Sequence, residues 1–468
     1  MGDEIGRQDF CSADFDEFSR RLALETEIAR EMFAKQAFAE DDYRLGFELE
    51  AWILDHNYFP SPVNQPLLKA LDNPLAVAEL SRFNVEFNCE PLGLEAGALD
   101  RAEAVLSKMW AECNAVAHGL DANIVMIGTL PTIRDEDLTL ENITPLNRYY
   151  SLNEELQRRR RGAPVRIDIS GEDRLVCERF DLMLEAATTS FQIHLQTPAD
   201  AALRYYNASV AMAAPLLSAC GNAPFLFGKG LWEETRIPLF EQAINFEGSG
   251  RVGLGRGYLE ESCLEHFEQN LRDHPVLLPV AYEDPPERLR HLRLHNGTIW
   301  RWNRLLIGFN DGGAPHLRIE HRILPAGPTI VDMIANAALY LGLIGHLANA
   351  GGDGSGGLPF AQAAENFYAA ARHGLGAELS WPGEGRVKAD ALLLNRLLPA
   401  AREGLAAFGL ETTDDWRLDL IEARVRTKRT GAAWQREALA AAKGDVHRLM
   451  AAYCERQRCG EPAHQWEL

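Results

Sequence analysis

The chain has 468 residues and a formal net charge of −21, from 47 basic and 68 acidic side chains. Hydrophobic residues make up 46% of the chain and charged residues 25%, which is the composition of a folded globular protein. The acidic balance argues against a nucleic-acid-binding surface, because such binding depends on neutralising phosphates. The length corresponds to roughly three ordinary domains, or to one large catalytic domain with an appendage.

The termini, the apolar segments and the cysteines predict a cytoplasmic protein without a membrane partner. The first residues are acidic and lack an apolar stretch, so we expect no secretory signal. The most apolar segment, residues 330–347, contains Asp332, Asn336 and His346, which favours a buried core helix over a membrane span. The eight cysteines include no CxxC pair and are typical of reduced cytosolic thiols.

The first half of the chain mixes helical spacing with strand alternation. Apolar residues recur at helical spacing over residues 13–40, and aromatic and branched residues alternate with charged ones over 43–54. We predict further strands at 83–92, 122–131, 190–198 and 316–329. We predict helices over 99–118 and over 200–221, the second of them capped by Asp200 and ended by Gly221.

The last quarter of the chain is rich in Ala, Leu and Arg and predicts helices at 361–374, 388–408, 415–426 and 434–457. A glycine-rich segment, residues 350–359, precedes them and predicts a linker or an insertion loop. We therefore divide the chain into a catalytic domain (1–349), this linker and a C-terminal helical region (360–468) that packs on the catalytic domain or stands apart. The fold class is α+β, with chemistry on polar-faced strands and helices on the other face.

Four of the predicted strands carry ligand-type side chains at alternate positions, which lie on one face of a strand. These side chains are Glu48 and Glu50; Glu86, Asn88 and Glu90; Gln192, His194 and Gln196; and Arg318, Glu320 and Arg322. Neighbouring carboxylates repel unless a cation or a proton lies between them. Oxygen-rich sets with one histidine suit Mg²⁺ or Mn²⁺, and Arg318 and Arg322 would neutralise phosphate charge beside the metal. The alternative is the solvated face of an open sheet, but these inward polar positions lack the Lys, Thr and Ser typical of such faces.

Other motifs leave two interpretations open. The glycine-rich segment 248–258, with Gly248 among its hinge glycines, is a mobile cover that brings Arg251 and Arg256 to the site, or an ordinary surface loop. The segment 300–304 (WRWNR) stacks on adenine or holds a carboxylate through Arg301 and Arg304, or supplies core tryptophans. Lys229 lacks the rest of a P-loop, and Cys89 is expected to pack in the core.

A set of five segments resembles the glutamate–cysteine ligase type 2 family, also called carboxylate–amine ligases. The segments are GFELEAW, VEFNCEP, SFQIHLQ, NAPFLFGKGLWEETR and LRIEHRILPAGPT, and they span roughly residues 42–345. The resemblance implies a glutamine synthetase-like fold, in which the concave face of a curved, mainly antiparallel sheet binds ATP and Mg²⁺ or Mn²⁺. It also implies that a carboxylate is phosphorylated and that an amine then attacks the acyl phosphate.

The resemblance implies roles for individual residues. The metal ligands it implies are Glu48, Glu50, Glu86, His194 and Glu320. Arg322 matches an arginine that meets the transferring phosphate, and Arg236 one near the substrate carboxylate. We assign Arg318, Arg301 and Arg304 to the nucleotide. The predicted strand that carries Glu320 and Arg322 continues into Ile-Leu-Pro, where many family members have an aspartate. The segment 350–358 and the C-terminal helices have no counterpart in the resemblance.

We therefore expect an ATP- and divalent-metal-dependent ligase of a small carboxylate and a small amine. Glutamate is the expected donor, and cysteine is the acceptor by family precedent only. The sequence leaves open whether the chain forms a homo-oligomer. Two alternatives are a small-molecule phosphotransferase that performs no ligation and a catalytically silent nucleotide-binding regulator. The second is disfavoured because Glu48, Glu50, His194, Glu320 and Arg322 are all present.

Overall fold

The computed structural model describes residues 4–40, 43–246, 250–410 and 414–468. The strands in these ranges are β1 (Arg44–Leu54), β2 (Ala76–Ala78), β3 (Asn84–Asn88), β4 (Leu92–Gly93), β5 (Asn123–Val125), β6 (Val165–Ser170), β7 (Arg174–Arg179), β8 (Phe191–Thr197), β9 (Phe225–Leu226), β10 (Lys229–Gly230), β11 (Asn303–Phe309), β12 (Pro315–His321), β13 (Glu378–Trp381) and β14 (Gly385–Lys388). The helices are α1 (Ser12–Ala34), α2 (Asn64–Leu71), α3 (Ala98–His118), α4 (Asn147–Arg159), α5 (Ala202–Ala211), α6 (Ala213–Cys220), α7 (Arg236–Ile244), α8 (Leu264–Asp273), α9 (Arg290–Gly297), α10 (Ile330–Asn349), α11 (Phe360–His373), α12 (Ala389–Leu392), α13 (Leu398–Gly404), α14 (Trp416–Thr427), α15 (Gly431–Ala441) and α16 (Val446–Cys459).

The main sheet is antiparallel, in the order β11-β12-β8-β1-β3-β2, and β4 and β5 also pair with β1. Its apolar face is buried under helices. Phe47 of β1 stacks on Phe191 of β8, with ring centroids 5.0 Å apart, and Phe87 of β3 meets Trp110 of α3. On the same face, His321 of β12 stacks on Tyr340 of α10. The α+β class with a polar sheet face opposite the helices is confirmed.

Helix α10 lies at the centre of the helical layer. It is long and apolar enough to cross a membrane by length and composition, but 78% of its most apolar window is buried inside the protein. Asp332 within it forms an ion pair of 2.8 Å with Arg424 of α14, and both side chains are almost fully buried. Residues 330–347 therefore form a buried core helix, as predicted.

The C-terminal helices pack directly on α10. A Cβ atom on Gly404 of α13 would collide with the carbonyl oxygen of Gly342 in α10, so the two helices meet backbone to backbone. The glycine-rich segment before them folds back on α5, where the Asn207 amide donates to the carbonyl of Asp353 over 2.9 Å. The proposed division at residues 349 and 360 stays a prediction.

Several predicted boundaries are wrong, each for a local reason. Helix α1 ends at Ala34 rather than at residue 40, and Gln36 then takes a positive φ of 51°. The predicted helix 200–221 is two helices joined at Met212, with Pro215, which has no N–H to donate, in the first turn of the second. The cap of the first is Ala201, not Asp200.

The predictions also missed or merged elements. Strand 122–131 is only three residues long, β5, and strand 83–92 is divided between β3 and β4. The predicted helix 434–457 is divided between α15 and α16, because Lys443 and Gly444 both have positive φ. The segment 388–408 contains α12, a π-helical turn and α13. The hairpins β6–β7 and β13–β14 were not predicted.

Candidate active site

The polar face of the sheet brings together the predicted side chains of four strands. The register places Glu320 of β12 opposite both His194 of β8 and Arg304 of β11. One strand further, Glu48 of β1 lies between β8 and β3, and Glu50 lies opposite Glu86. Because alternate residues share a face, this register gathers the acidic side chains around β1.

The first acidic cluster consists of Glu48, His194 and Glu320. One ligand atom of each residue lies within 4.8 Å of the others. His194 Nε2 is 3.1 Å from the Glu48 carboxylate. Burial opposes ionisation of Glu48, but His194 outweighs it and lowers the pKa of Glu48 to about 2. Burial likewise opposes ionisation of Glu320, whose pKa is nevertheless held well below its usual range by its basic neighbours.

The second acidic cluster consists of Glu50, Glu79 and Glu86, again within 4.8 Å of one another and all buried. Burial and the charge of Glu86 raise the pKa of Glu50. The pKa of Glu79 is raised well above its usual value by burial and by both neighbouring carboxylates. Ser190 also holds the Glu50 carboxylate in place: its backbone N–H donates to one carboxylate oxygen over 2.7 Å, and its hydroxyl donates to the other over 2.9 Å.

Glu79 is the member of this cluster that sequence reasoning missed. It follows the short strand β2, two residues after Val77, which lies opposite Glu86. Side chains two residues apart point to the same side of a strand. The signal was therefore present, but β2 is three residues long and shows no alternation that could identify it.

The donor chemistry of the two clusters fits divalent cations. Three carboxylates that are buried together repel one another, and burial together with that repulsion raises the pKa values of Glu50 and Glu79. A hard cation removes it, and carboxylate oxygens with one imidazole nitrogen are suitable ligands for Mg²⁺ or Mn²⁺.

Buried arginines surround the first cluster. Arg304 lies 2.9 Å from the Glu320 carboxylate, and Arg322 lies 2.5 Å from it and also donates to Gln192 over 2.6 Å. Arg236, at the start of α7, donates to the carbonyl of Ile323 over 3.0 Å and so lies beside the same strand end. Arg322, Arg304 and Arg236 are therefore brought to the polar face, as their predicted roles require.

The remaining basic residues divide between the two faces. Arg318 lines the cleft beside Glu48 and His194. Arg301 is on the opposite face of its segment, where its guanidinium donates to Asn270 of α8 over 2.8 Å. The structure therefore does not bring Arg301 to the acidic clusters. Arg301 precedes β11, which begins at Asn303, so strand alternation does not place its side chain on the polar face.

Two cavities open on the polar face, one at each end of the clusters. The larger has a volume of about 620 Å³ and is lined by Glu48, His194, Arg318 and the turn 309–312. The smaller is about 40 Å³ and is lined by Glu50, Glu79, Arg236 and Arg322, together with Ser190, Trp302 and Glu185. Sequence reasoning missed Glu185, which precedes β8 in a short turn.

Trp302 connects the small cavity to the C-terminal helices. Its indole N–H donates to Glu241 of α7 over 2.8 Å, and the Tyr368 hydroxyl of α11 donates to the same carboxylate over 3.0 Å. Burial raises the pKa of Glu241 to about 7, against the effect of these two donors. Of the two tryptophans in the segment 300–304, Trp302 is the one that lines the small cavity.

The glycine-rich segment is anchored in its described part. Gly248 lies outside the described residues. Arg251 is fully buried and donates to the carbonyls of Thr298 and Pro275, so it is a structural residue and does not reach the clusters. Arg256 is exposed and pairs with Asp273 over 2.7 Å. Cys89 is half-buried and lines the larger cavity, although we expected it in the core.

Comparison with known proteins identifies the family. The model of glutamate-cysteine ligase family 2 matches residues 44–466, which includes the whole sheet and the C-terminal helices. The chain belongs to this family. It is therefore a ligase, and the resemblance of the five sequence segments is confirmed. A sequence comparison with curated proteins gives no match.

One solved structure shows the same fold. The glutamate–cysteine ligase of Francisella tularensis, solved in complex with AMP, has 12% identity to this ligase with a TM-score of 0.58, and the match covers 90% of each chain. At that identity the likeness establishes the fold. A bifunctional glutathione synthetase from Pasteurella multocida has 13% identity and a TM-score of 0.47, with 93% of this chain and 54% of that chain covered.

Proposed function

We propose that this ligase is ATP- and divalent-metal-dependent and joins the carboxylate of a small acid to a small amine through an acyl phosphate. Glutamate is the proposed donor, so that the product carries a γ-glutamyl amide. Cysteine is the leading acceptor by family precedent. The observation that carries the proposal is the pair of acidic clusters on one sheet face, with buried arginines beside them.

The two cavities suggest how the substrates divide the face. The larger one, about 620 Å³, is large enough for a nucleotide. Arg318 lines it, and Arg304 lies beside Glu320 of the first cluster. The AMP found in the Francisella tularensis ligase supports a nucleotide on this fold. The smaller cavity offers Arg236 and Arg322 to a carboxylate.

The metal site would be held by this chain's own acidic side chains. Glu48, His194 and Glu320 would bind one cation, and Glu50, Glu79 and Glu86 another. Bound cations would offset the negative charge that develops on the phosphates during transfer.

The protein residues have separate tasks in the transfer. Arg322 is held in place by Glu320 and Gln192, so its fixed positive charge is available to the transferring phosphoryl group without rearrangement. Arg236 would orient the donor carboxylate. The walls of the small cavity, which include Phe240 and Trp302, would keep water from the acyl phosphate.

The test is ADP release by the purified protein with ATP and Mg²⁺ across a panel of amino acids and amines. We expect release to require glutamate together with one particular amine. Glu48→Gln should abolish release, and Glu141→Gln, at an exposed position, should retain it. Release with a carboxylate but without any amine would favour the phosphotransferase alternative. Nucleotide binding without release across the panel would favour the regulatory alternative.

A further inference from the structure

Glu185 is a carboxylate of the small cavity whose role the two clusters do not explain. It lies in the turn Glu185–Ala187 before β8, is half-buried and lines the cavity together with Arg236 and Arg322. Among the described residues, its carboxylate has no hydrogen-bond or ion-pair partner. A charged group in such a position costs free energy unless it meets a ligand.

The basic side chains of the cavity are already engaged with other groups. Arg322 pairs with Glu320 and donates to Gln192. Arg236 donates to the Ile323 carbonyl and lies 3.3 Å from a carboxylate oxygen of Glu234. Glu185 is therefore not the structural counter-ion of either arginine.

The other carboxylates of the cavity belong to the second cluster. Glu50 accepts hydrogen bonds from Ser190 and Gln192, and Glu79 accepts one from the backbone N–H of Leu80 over 3.0 Å. Cations bound there would engage their remaining oxygens. Glu185 is thus the acidic group of this cavity that remains available to a substrate.

The proposed reaction requires such a group. An alkyl amine has a pKa of about 10 and is an ammonium ion at neutral pH. The ammonium nitrogen has no lone pair, so it must lose a proton before it can attack. A carboxylate within hydrogen-bond reach both attracts the ammonium and accepts that proton.

We propose that Glu185 binds the ammonium group of the acceptor amine and accepts its proton as the amine attacks the acyl phosphate. The proposal rests on the proposed function. One proton moves from nitrogen to a Glu185 carboxylate oxygen, and the freed nitrogen lone pair forms the C–N bond. The bond between the acyl carbon and the phosphate oxygen breaks, and its electron pair leaves with the phosphate. The departing phosphate takes the second nitrogen proton, so that the products are a neutral amide and hydrogen phosphate.

The electrostatic surroundings of Glu185 agree with this role. Burial raises its pKa to about 8, against the attraction of Arg322 and with a further contribution from Glu50. A base is most effective when its pKa lies near the working pH. In the empty cavity the Glu185 carboxyl is largely protonated at neutral pH, and the positive charge of a bound ammonium ion would favour the carboxylate form that accepts the proton.

The test compares two acceptors in Glu185→Gln. One is the amine that the ADP-release panel identifies, which is an ammonium ion at the assay pH; the other is hydroxylamine, which is largely uncharged there. We expect kcat with the ammonium acceptor to fall by about 100-fold or more, while hydroxamate formation stays near the wild-type rate. With the ammonium acceptor, the kcat of Glu185→Asp should lie between those of the wild type and Glu185→Gln. Glu178→Gln, at an exposed position of β7, should behave as wild type.

The outcomes separate this proposal from the one on which it rests. Equal loss with both acceptors, or a loss confined to the KM of the donor, would assign Glu185 to the donor or to the pocket wall and overturn the proposal. Wild-type kinetics with both acceptors would also overturn it. A wild-type protein that releases no ADP with any pair would refute the proposed function itself. Thermal unfolding of each variant shows whether a loss reflects folding.

Discussion

Replacing Glu79 by Gln should affect folding and metal binding in opposite directions. In the metal-free protein Glu79 is buried beside Glu50 and Glu86, within 4.8 Å of both. Two unit charges at that distance repel by about 3 kcal/mol at an effective dielectric constant of about 20. Glutamine occupies nearly the same volume without the charge, so the substitution removes this repulsion and stabilises the metal-free fold.

The size of the effect depends on pH with a definite sign. The pKa of Glu79 in the folded protein is raised above its unfolded value of 4.5. Its contribution to stability is therefore fully present below pH 4.5 and is lost as the pH rises through the folded pKa. The advantage of Glu79→Gln should grow with pH and reach up to about 3 kcal/mol. For a chain of this length, that corresponds to roughly 3 °C in Tm.

Magnesium should reverse the order of the two proteins. A cation that binds only the folded state stabilises it by about 2.7 kcal/mol at 100 times its Kd. Glu79→Gln removes one charged ligand of the second cluster, so the variant should gain less from the same Mg²⁺ concentration.

Thermal unfolding at pH 6 and at pH 9, in chelator and in Mg²⁺, measures both effects, with Glu141→Gln as the control for an exposed glutamate. A variant that is less stable than wild type in chelator at pH 9 would refute the repulsion argument. Equal stabilisation of both proteins by Mg²⁺ would refute the assignment of Glu79 as a ligand.

Four substitutions test other parts of the structure. Glu320→Gln leaves two buried arginines without their counter-charge and should lower the free energy of unfolding by roughly 3–5 kcal/mol. Glu48→Gln should abolish turnover with a smaller decrease in the free energy of unfolding. Chemical denaturation compares the two variants. The pKa of Glu241 in the folded protein, about 7, lies above its unfolded value of 4.5, so the stability of the wild-type protein falls by up to about 3 kcal/mol as the pH rises through this range. Glu241→Gln should remove this fall. Unfolding at pH 5 and at pH 9 measures the difference. Gly404→Ala forces a methyl group against the Gly342 carbonyl and should cost about 1–3 kcal/mol or more, read from the unfolding midpoint in denaturant.

The polar face was predictable because alternation in a strand is a strict geometric rule. Once β1, β3, β8 and β12 were recognised, the shared face of Glu48, Glu50 and His194 followed from the period of two. The same rule does not reach Arg301, because β11 begins at Asn303 and that start is not visible in a segment of mixed polar and aromatic residues.

The missed residues lie where local pattern carries little information. Glu79 follows a strand of three residues, and Glu185 lies in a turn of three residues. Neither position has a period, so only tertiary packing identifies it. The helix boundaries failed for a related reason. Backbone breaks such as Lys443 and Gly444 depend on one or two positive φ values within otherwise favourable helical sequence.

The C-terminal helices support the site physically, although the chemistry is concentrated in the first 350 residues. Tyr368 of α11 donates to Glu241, which in turn accepts from Trp302 in the wall of the small cavity. Arg424 of α14 neutralises Asp332 inside α10, and α13 covers α10 at Gly342. Loss of these helices would expose an apolar helix and leave a buried carboxylate without its partner, and it would release one side of the cavity wall. The sheet alone therefore brings the ligands together, but the pocket in which the acyl phosphate would be protected needs the C-terminal region as well.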